Sequence, residues 1–328
     1  MIWWIVVGMA GLLLVGIGLT WRRWAVATIN FLRRRAGYAR HTIGLDGFEL
    51  VYYESGRRDA PTMLLLHGFG ANADTWVALA PLLRQDFRLI MPDLPGFGDT
   101  GHLPGKSYSL DAQVARLKDF ADMLHLDHIH VVGNSMGGYI AAAFAAANTE
   151  RVASLALFDA AGVDMPVKSP FYEAALAGNN MLLVREPADF ERILQLIYHK
   201  VPFIPGYLRD YLIQRMSEAA DAHHEIFEEM FGQRVWLDMH MEQLNMPTLV
   251  LWGDDDRVLD ISSIKLFQAG IPHAEVAIVP ACGHVPQLEK PQATARVYRE
   301  FLERAKVPIP APVQAEQPAK REVTPVEP

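Results

Sequence analysis

The chain has 328 residues, 51% hydrophobic and 21% charged, with a formal net charge of −8. That suits one large α/β domain or two small ones with an ample core, and it excludes a nucleic-acid binder, which needs a basic face. The single cysteine, Cys282, excludes an intrachain disulfide, and scattered histidines without cysteine pairs argue against a structural zinc site.

Residues 2–20, IWWIVVGMAGLLLVGIGLT, carry no charge. As a helix they would reach roughly 28 Å, close to the ~30 Å thickness of a bilayer's hydrocarbon. Trp3, Trp4, Trp21 and Trp24 stand near the two ends, where indole prefers the interface. A cleaved signal peptide would put its positive charge before the apolar run. Here Arg22, Arg23, Arg33, Arg34, Arg35 and Arg40 come after it. The expectation is a single-pass anchor over 1–22, with the positive flank and the rest of the chain in the cytoplasm. Residues 23–41 form a basic juxtamembrane segment, read either as a short helix on anionic headgroups or as a linker.

From residue 42 short apolar runs alternate with amphipathic stretches. Strands are expected at 48–54, 62–68, 88–93, 128–135, 152–159, 247–256 and 274–280. Helices are expected at 74–83, 108–125, 136–148, 260–269 and 288–304. This alternation implies βαβ crossovers and a mostly parallel sheet with helices on both faces. The rhythm breaks over about 163–240, where apolar and aromatic residues follow helical spacing, so a helical cap insertion is expected there. The domain then runs over 42–306. The tail 307–328 has six prolines and no aromatic residue, and is expected to be disordered.

In an open parallel sheet ligands bind beyond the carboxyl ends of the strands, and the chemistry-bearing residues fall there. Gly133-Asn134-Ser135-Met136-Gly137 matches G-x-S-x-G between an apolar run and an alanine-rich stretch. The flanking glycines clear space for a sharp strand-to-helix reversal that exposes the serine oxygen. A serine hydroxyl needs a base, and His284 follows the last strand. The acid lies among Asp254, Asp255 and Asp256. Asp256 is favoured, the other two being read as solvated or helix-capping, and Asp159 is a more remote alternative. The backbone N–H groups of Met136 and Phe69 are the candidate oxyanion donors. His67 reads as a structural hydrogen-bonder and Asp93 as the shaper of its own turn. His223-His224-Glu225 and Glu228-Glu229 could suggest a metal, but adjacent helical histidines diverge by about 100°. No metal or cofactor is expected.

In their order and spacing, HGFGANADTW, PDLPGFGDT, GNSMGG, WGDDDRVLD and CGHVPQLEKP resemble the α/β-hydrolase superfamily over roughly residues 42–304. Within it the chain is most similar to membrane-anchored monoacylglycerol lipases of the α/β-hydrolase-domain 6 type. The resemblance lays nucleophile, acid and base on Ser135, Asp256 and His284. It implies hydrolysis of lipid esters at a bilayer, monoacylglycerol lipase-like or lysophospholipase-like. A small-ester carboxylesterase or C–C bond hydrolase of the same fold is the alternative, and a non-catalytic binding protein a third reading.

Overall fold

The computed structural model describes residues 21–231 and 240–307. The apolar run 2–20 and the tail from 308 lie outside the described residues, and so does the end of the cap stretch at 232–239. No helix among the described residues is long and apolar enough to cross a membrane.

Residues 21–35 are helical (α1). The chain continues through β1 (Ala39–Leu45), β2 (Phe48–Gly56), β3 (Thr62–Leu66), α2 (Ala80–Leu83), β4 (Arg88–Pro92), α3 (Leu110–Met123), β5 (Ile129–Asn134), α4 (Met136–Ala147) and β6 (Val152–Phe158). The cap holds α5 (Pro170–Leu176), α6 (Pro187–Ile197), α7 (Gly206–Glu218) and α8 (Ala220–Phe231). The chain returns through β7 (Thr248–Gly253), α9 (Ile264–Gly270), β8 (Glu275–Val279), α10 (Pro286–Glu289) and α11 (Pro291–Ala305). The sheet has eight strands in the order β1-β2-β4-β3-β5-β6-β7-β8. β2 runs antiparallel to both neighbours, and every pairing from β4 to β8 is parallel.

Alternate residues of the central strands enter two separate cores. Leu64, Leu66, Val131, Leu155 and Trp252 pack with α4 on one face. Met63, Leu65, Val132, Ala156 and Leu251 pack with Tyr298 and Phe301 of α11 on the other. Strands covered on both faces read as continuous apolar runs, which is why their positions could be expected. Each buried Leu, Val or Phe contributes about 1.5–3 kcal/mol, so the two cores hold the strand ends in register for the site.

Several elements differ from expectation. β1 was not foreseen: ARHTIGL is an edge strand, largely exposed, without an apolar run. The expected helix 74–83 divides into a 3₁₀ turn at Ala73–Trp76 and the short α2. The expected helix 288–304 breaks before Pro291, whose missing N–H cannot continue α10 but suits the start of α11.

The basic segment after residue 22 is helical rather than a linker, and it packs onto the domain. Ala25 and Ala36 are fully buried. The Arg33 guanidinium forks onto Asp74 at 2.7 and 2.8 Å and lies 3.7 Å from Asp99. Thr28 bonds Tyr207 of α7 at 3.0 Å. Thus α1 bridges the hydrolase core and the cap, and the boundary expected at residue 42 falls inside β1.

Candidate active site

Ser135 joins β5 to α4 at φ 56°, ψ −120°, a conformation that costs a non-glycine residue of order 1–3 kcal/mol and persists only where its surroundings hold it. Its carbonyl accepts the N–H groups of Gly138, Tyr139 and Ala161 at 2.9, 3.1 and 3.0 Å. The expected role of the glycines is visible in the spacing. A Cβ on Gly133 would lie 2.1 Å from the Gly137 oxygen, and one on Gly137 would lie 2.2 Å from the Leu66 oxygen. Any side chain at either position would push the turn off the sheet.

The loop after β3 runs beside this turn, so close that a Cβ on Gly68 would meet the Ser135 Cβ at 3.2 Å. Among the described residues no acceptor takes up the N–H of Phe69 or of Met136. Both groups are therefore available to a ligand oxygen at Ser135. Below the loop, His67 accepts the Leu94 N–H at Nε2 (3.0 Å) and donates from Nδ1 to the Gly68 carbonyl (2.8 Å). Burial pushes its pKa down to about 4, against the raising effect of that carbonyl, so the ring is neutral and structural. Asp93 accepts from the N–H groups of Ala73 and Asp99 at 2.8 and 2.7 Å, pinning two loops as well as its own turn. Burial raises its carboxyl to about 7, although both N–H groups oppose the shift.

His284 lies in the loop after β8. Its Nδ1 donates to Asp256 Oδ2 at 2.8 Å, which fixes the tautomer and leaves Nε2 to act. Asp256 Oδ1 accepts the N–H groups of Val258 and Leu259 at 2.8 and 3.0 Å, so the turn after β7 aims the carboxylate. The neighbouring aspartates do other work and cap no helix. Asp255 accepts from His199 Nδ1 at 2.8 Å and Arg257 at 2.7 Å, and Asp254 accepts the Cys282 N–H at 3.3 Å. Asp159, at the end of β6, is fully buried, and its Oδ1 accepts the Gly253 N–H at 2.9 Å. Its carboxyl lies with Asp256 and His284, ligand atoms of the three being within 4.8 Å of one another.

Sequence reasoning missed the frame around the histidine. Asn134 Nδ2 donates to the His284 carbonyl at 3.0 Å, and Gln287 Nε2 donates to Asn134 Oδ1 at 3.0 Å. The His284 N–H donates to the Ile197 carbonyl of the cap at 2.9 Å. Glu289 gathers the N–H groups of Gly283, His199 and Lys200 at 2.8, 3.1 and 2.8 Å. Asn134 Nδ2 also donates to the Phe158 carbonyl at 3.1 Å, beside the Ser135 N–H, so the amide ties the turn to the histidine loop. His223, by contrast, is buried with its ring centroid 5.0 Å from that of Phe97 and 5.7 Å from that of Phe69. Glu225 faces His102 at 3.6 Å, so the HHE run does not converge.

Ser135 borders two spaces. One is an apolar pocket of about 260 Å³ between core and cap, walled by Val163, Met165, Phe171, Met230 and Phe231. The other is a wider cleft of about 610 Å³, bordered by His284, Asn72, His102, Arg215 and Ile29 of α1. His284 borders only the second.

A serine on a strained strand–helix turn, beside free N–H groups and a carboxylate-held imidazole at parallel strand ends, is the layout of a hydrolase. The chain belongs to the alpha/beta hydrolase family, whose family model matches residues 63–297. It is similar to Lipase 1 of Psychrobacter immobilis, 34% identical over 258 residues, 78% of this chain and 81% of the lipase. Monoacylglycerol lipase ABHD6 of Homo sapiens is 28% identical over 284 residues, 81% of this chain and 84% of its own. The crystal structure of a membrane phospholipase A, a bacterial virulence factor, superimposes with a TM-score of 0.86 at 37% identity, covering 92% of this chain and 98% of that one.

Proposed function

We propose that this protein is a membrane-anchored serine hydrolase that cleaves carboxylic esters of lipids through an acyl-enzyme on Ser135. The observation that carries the reading is the 2.8 Å bond from His284 Nδ1 to Asp256, on an imidazole that borders the same cleft as Ser135. His284 Nε2 takes the Ser135 proton as the oxygen attacks the ester carbonyl. The N–H groups of Phe69 and Met136 receive the oxyanion. His284 then protonates the departing alcohol, and water activated by the same imidazole releases the acid. The imidazole must hand its proton to the leaving oxygen, so the alcohol side of the ester lies in the cleft that His284 borders. The acyl chain lies in the apolar pocket on the other side of Ser135.

That assignment gives a chain-length prediction. The pocket on that side of Ser135 is walled mainly by apolar side chains, so it stabilises each methylene that it buries. Each buried methylene contributes about 0.8 kcal/mol, so kcat/KM on a series of glycerol monoesters rises about fourfold per carbon until the pocket is filled. A profile highest on acetyl esters, or turnover of vinylogous diketones in preference to esters, would move the reading to a small-ester or C–C hydrolase. The relatives named lipase, monoacylglycerol lipase and phospholipase support the glycerol-ester class.

The anchor rests on the uncharged run 2–20 and on the surface around α1. Trp24 and Phe31 of α1 are 66% and 58% exposed, and Phe203 of the cap is 91% exposed. Arg22, Arg23, Arg34 and Arg35 belong to the same helix as the first two. Apolar side chains set among arginines suit a surface lying on anionic headgroups. The positive flank puts the catalytic domain on the cytoplasmic face. Leu13→Arg with Leu14→Arg places two charges within the span, at about 2.5–3.5 kcal/mol each. The variant is expected to leave the carbonate-washed membrane fraction while keeping its activity on a soluble nitrophenyl ester. Wild-type protein extracted by carbonate alone would contradict the anchor.

A further inference from the structure

The roles given to Ser135, His284 and Asp256 leave one buried group at the site without a task. Asp159 has no exposed surface, and its Oδ1 is satisfied by the Gly253 N–H. Its Oδ2 is buried and receives no N–H or hydroxyl from the described residues. The acid within reach of it is Asp256. The two carboxyls are not equivalent. Asp256 accepts three N–H donors, from Val258, Leu259 and His284, and Asp159 accepts one. Two buried carboxyls this close cannot both ionise cheaply, and the proton goes to the one with fewer donors. Burial first, and the Asp256 charge second, hold the Asp159 carboxyl well above the usual carboxylate range. The titratable groups facing it are Asp256, His284 and Cys282, whose buried thiol is itself pushed up by its surroundings. No cation among the described residues acts on it.

We infer that Asp159 is a neutral carboxylic acid that donates a hydrogen bond from Oδ2 to the Asp256 carboxylate and so positions the acid against which His284 is held. The inference rests on the proposed roles of Ser135, His284 and Asp256. It makes Asp159 a positioning residue, separated from the reacting serine by Asp256 and His284. It also gives the buried Oδ2 a partner without calling for a metal.

The full-chain protein in detergent tests this with Asp159→Asn and Asp159→Leu. Asparagine reproduces both bonds of a neutral acid, with its oxygen toward Gly253 and its amide toward Asp256. Its kcat/KM is expected to stay within about twofold of wild type and its acidic pH limb to stay in place. Leucine removes the donor, which leaves more of the Asp256 charge to act on the imidazole. Its kcat is expected to fall about tenfold and its acidic limb to move up by about half a unit or more. At neutral pH the infrared difference spectrum, wild type minus Asp159→Asn, is expected to show one protonated-carboxyl C=O band, because every other carboxyl is common to both proteins and cancels.

An acidic limb that drops by a unit in Asp159→Asn, or a missing carboxyl band, would show an ionised Asp159 and overturn the inference. An activity loss in Asp159→Leu with an unmoved limb would reduce the residue to packing, and overturn it equally. If the leucine variant does not fold, the asparagine profile and the infrared band decide alone. Ser135→Ala separates the two levels. Full activity in that variant ends the hydrolase reading, whereas an inactive Ser135→Ala beside a missing carboxyl band ends only the role of Asp159.

Discussion

Ser135→Ala is expected to lower kcat on a lipid ester by about six orders of magnitude, because a nucleophile and its base act as a unit and the loss of one disables both. The residual rate over water would come from the free N–H groups of Phe69 and Met136 and from binding. The same variant is expected to lose labelling by a fluorophosphonate probe, which reacts only with an activated serine. Alanine inherits the φ of 56° and the buried turn, so the variant keeps wild-type circular dichroism and melts within a few degrees of wild type. Retained labelling would place the nucleophile elsewhere and end the proposed mechanism.

Asp256→Asn is expected to cost about four orders of magnitude in kcat with the fold intact. The reason lies in the turn after β7. The N–H groups of Val258 and Leu259 both point at Oδ1, so an amide there turns its oxygen toward them and its NH₂ toward His284. The Nδ1–H of His284 then faces a donor, the imidazole changes tautomer, and Nε2 can no longer accept the serine proton. Asp254→Asn and Asp255→Asn are expected to stay within about threefold of wild type, since neither carboxylate meets the imidazole. Steady-state kinetics on the three variants check this. A large loss in Asp254→Asn with little in Asp256→Asn would reverse the assignment.

The parts of this molecule legible in its sequence are those set by short-range necessity. Gly133 and Gly137 could be read around Ser135 because no other residue fits a turn so close to the Leu66 carbonyl. His284 and the aspartate cluster could be read because apolar runs marked the strand ends. The choice among Asp254, Asp255 and Asp256 was harder, since it is made by two backbone N–H groups that no residue type advertises. Strand β1 escaped because an exposed edge carries no apolar signature. The bonds from Asn134 to the His284 carbonyl, and from Gln287 to Asn134, span 150 and 153 residues and depend on packing that local pattern does not encode. The bridging role of α1 was hidden for the same reason: a run of arginines looks solvated until Asp74 and Asp99 are brought beneath it.

The bond from the His284 N–H to the Ile197 carbonyl ties the working imidazole to the end of α6. Gly283 reinforces the tie, since a Cβ there would lie 2.5 Å from that same carbonyl oxygen. Swinging the whole insertion away would therefore displace His284, the proposed base, from its place beside Ser135. Exchanging this insertion between relatives would transplant the anchor of His284 along with one wall of the apolar pocket beside Ser135.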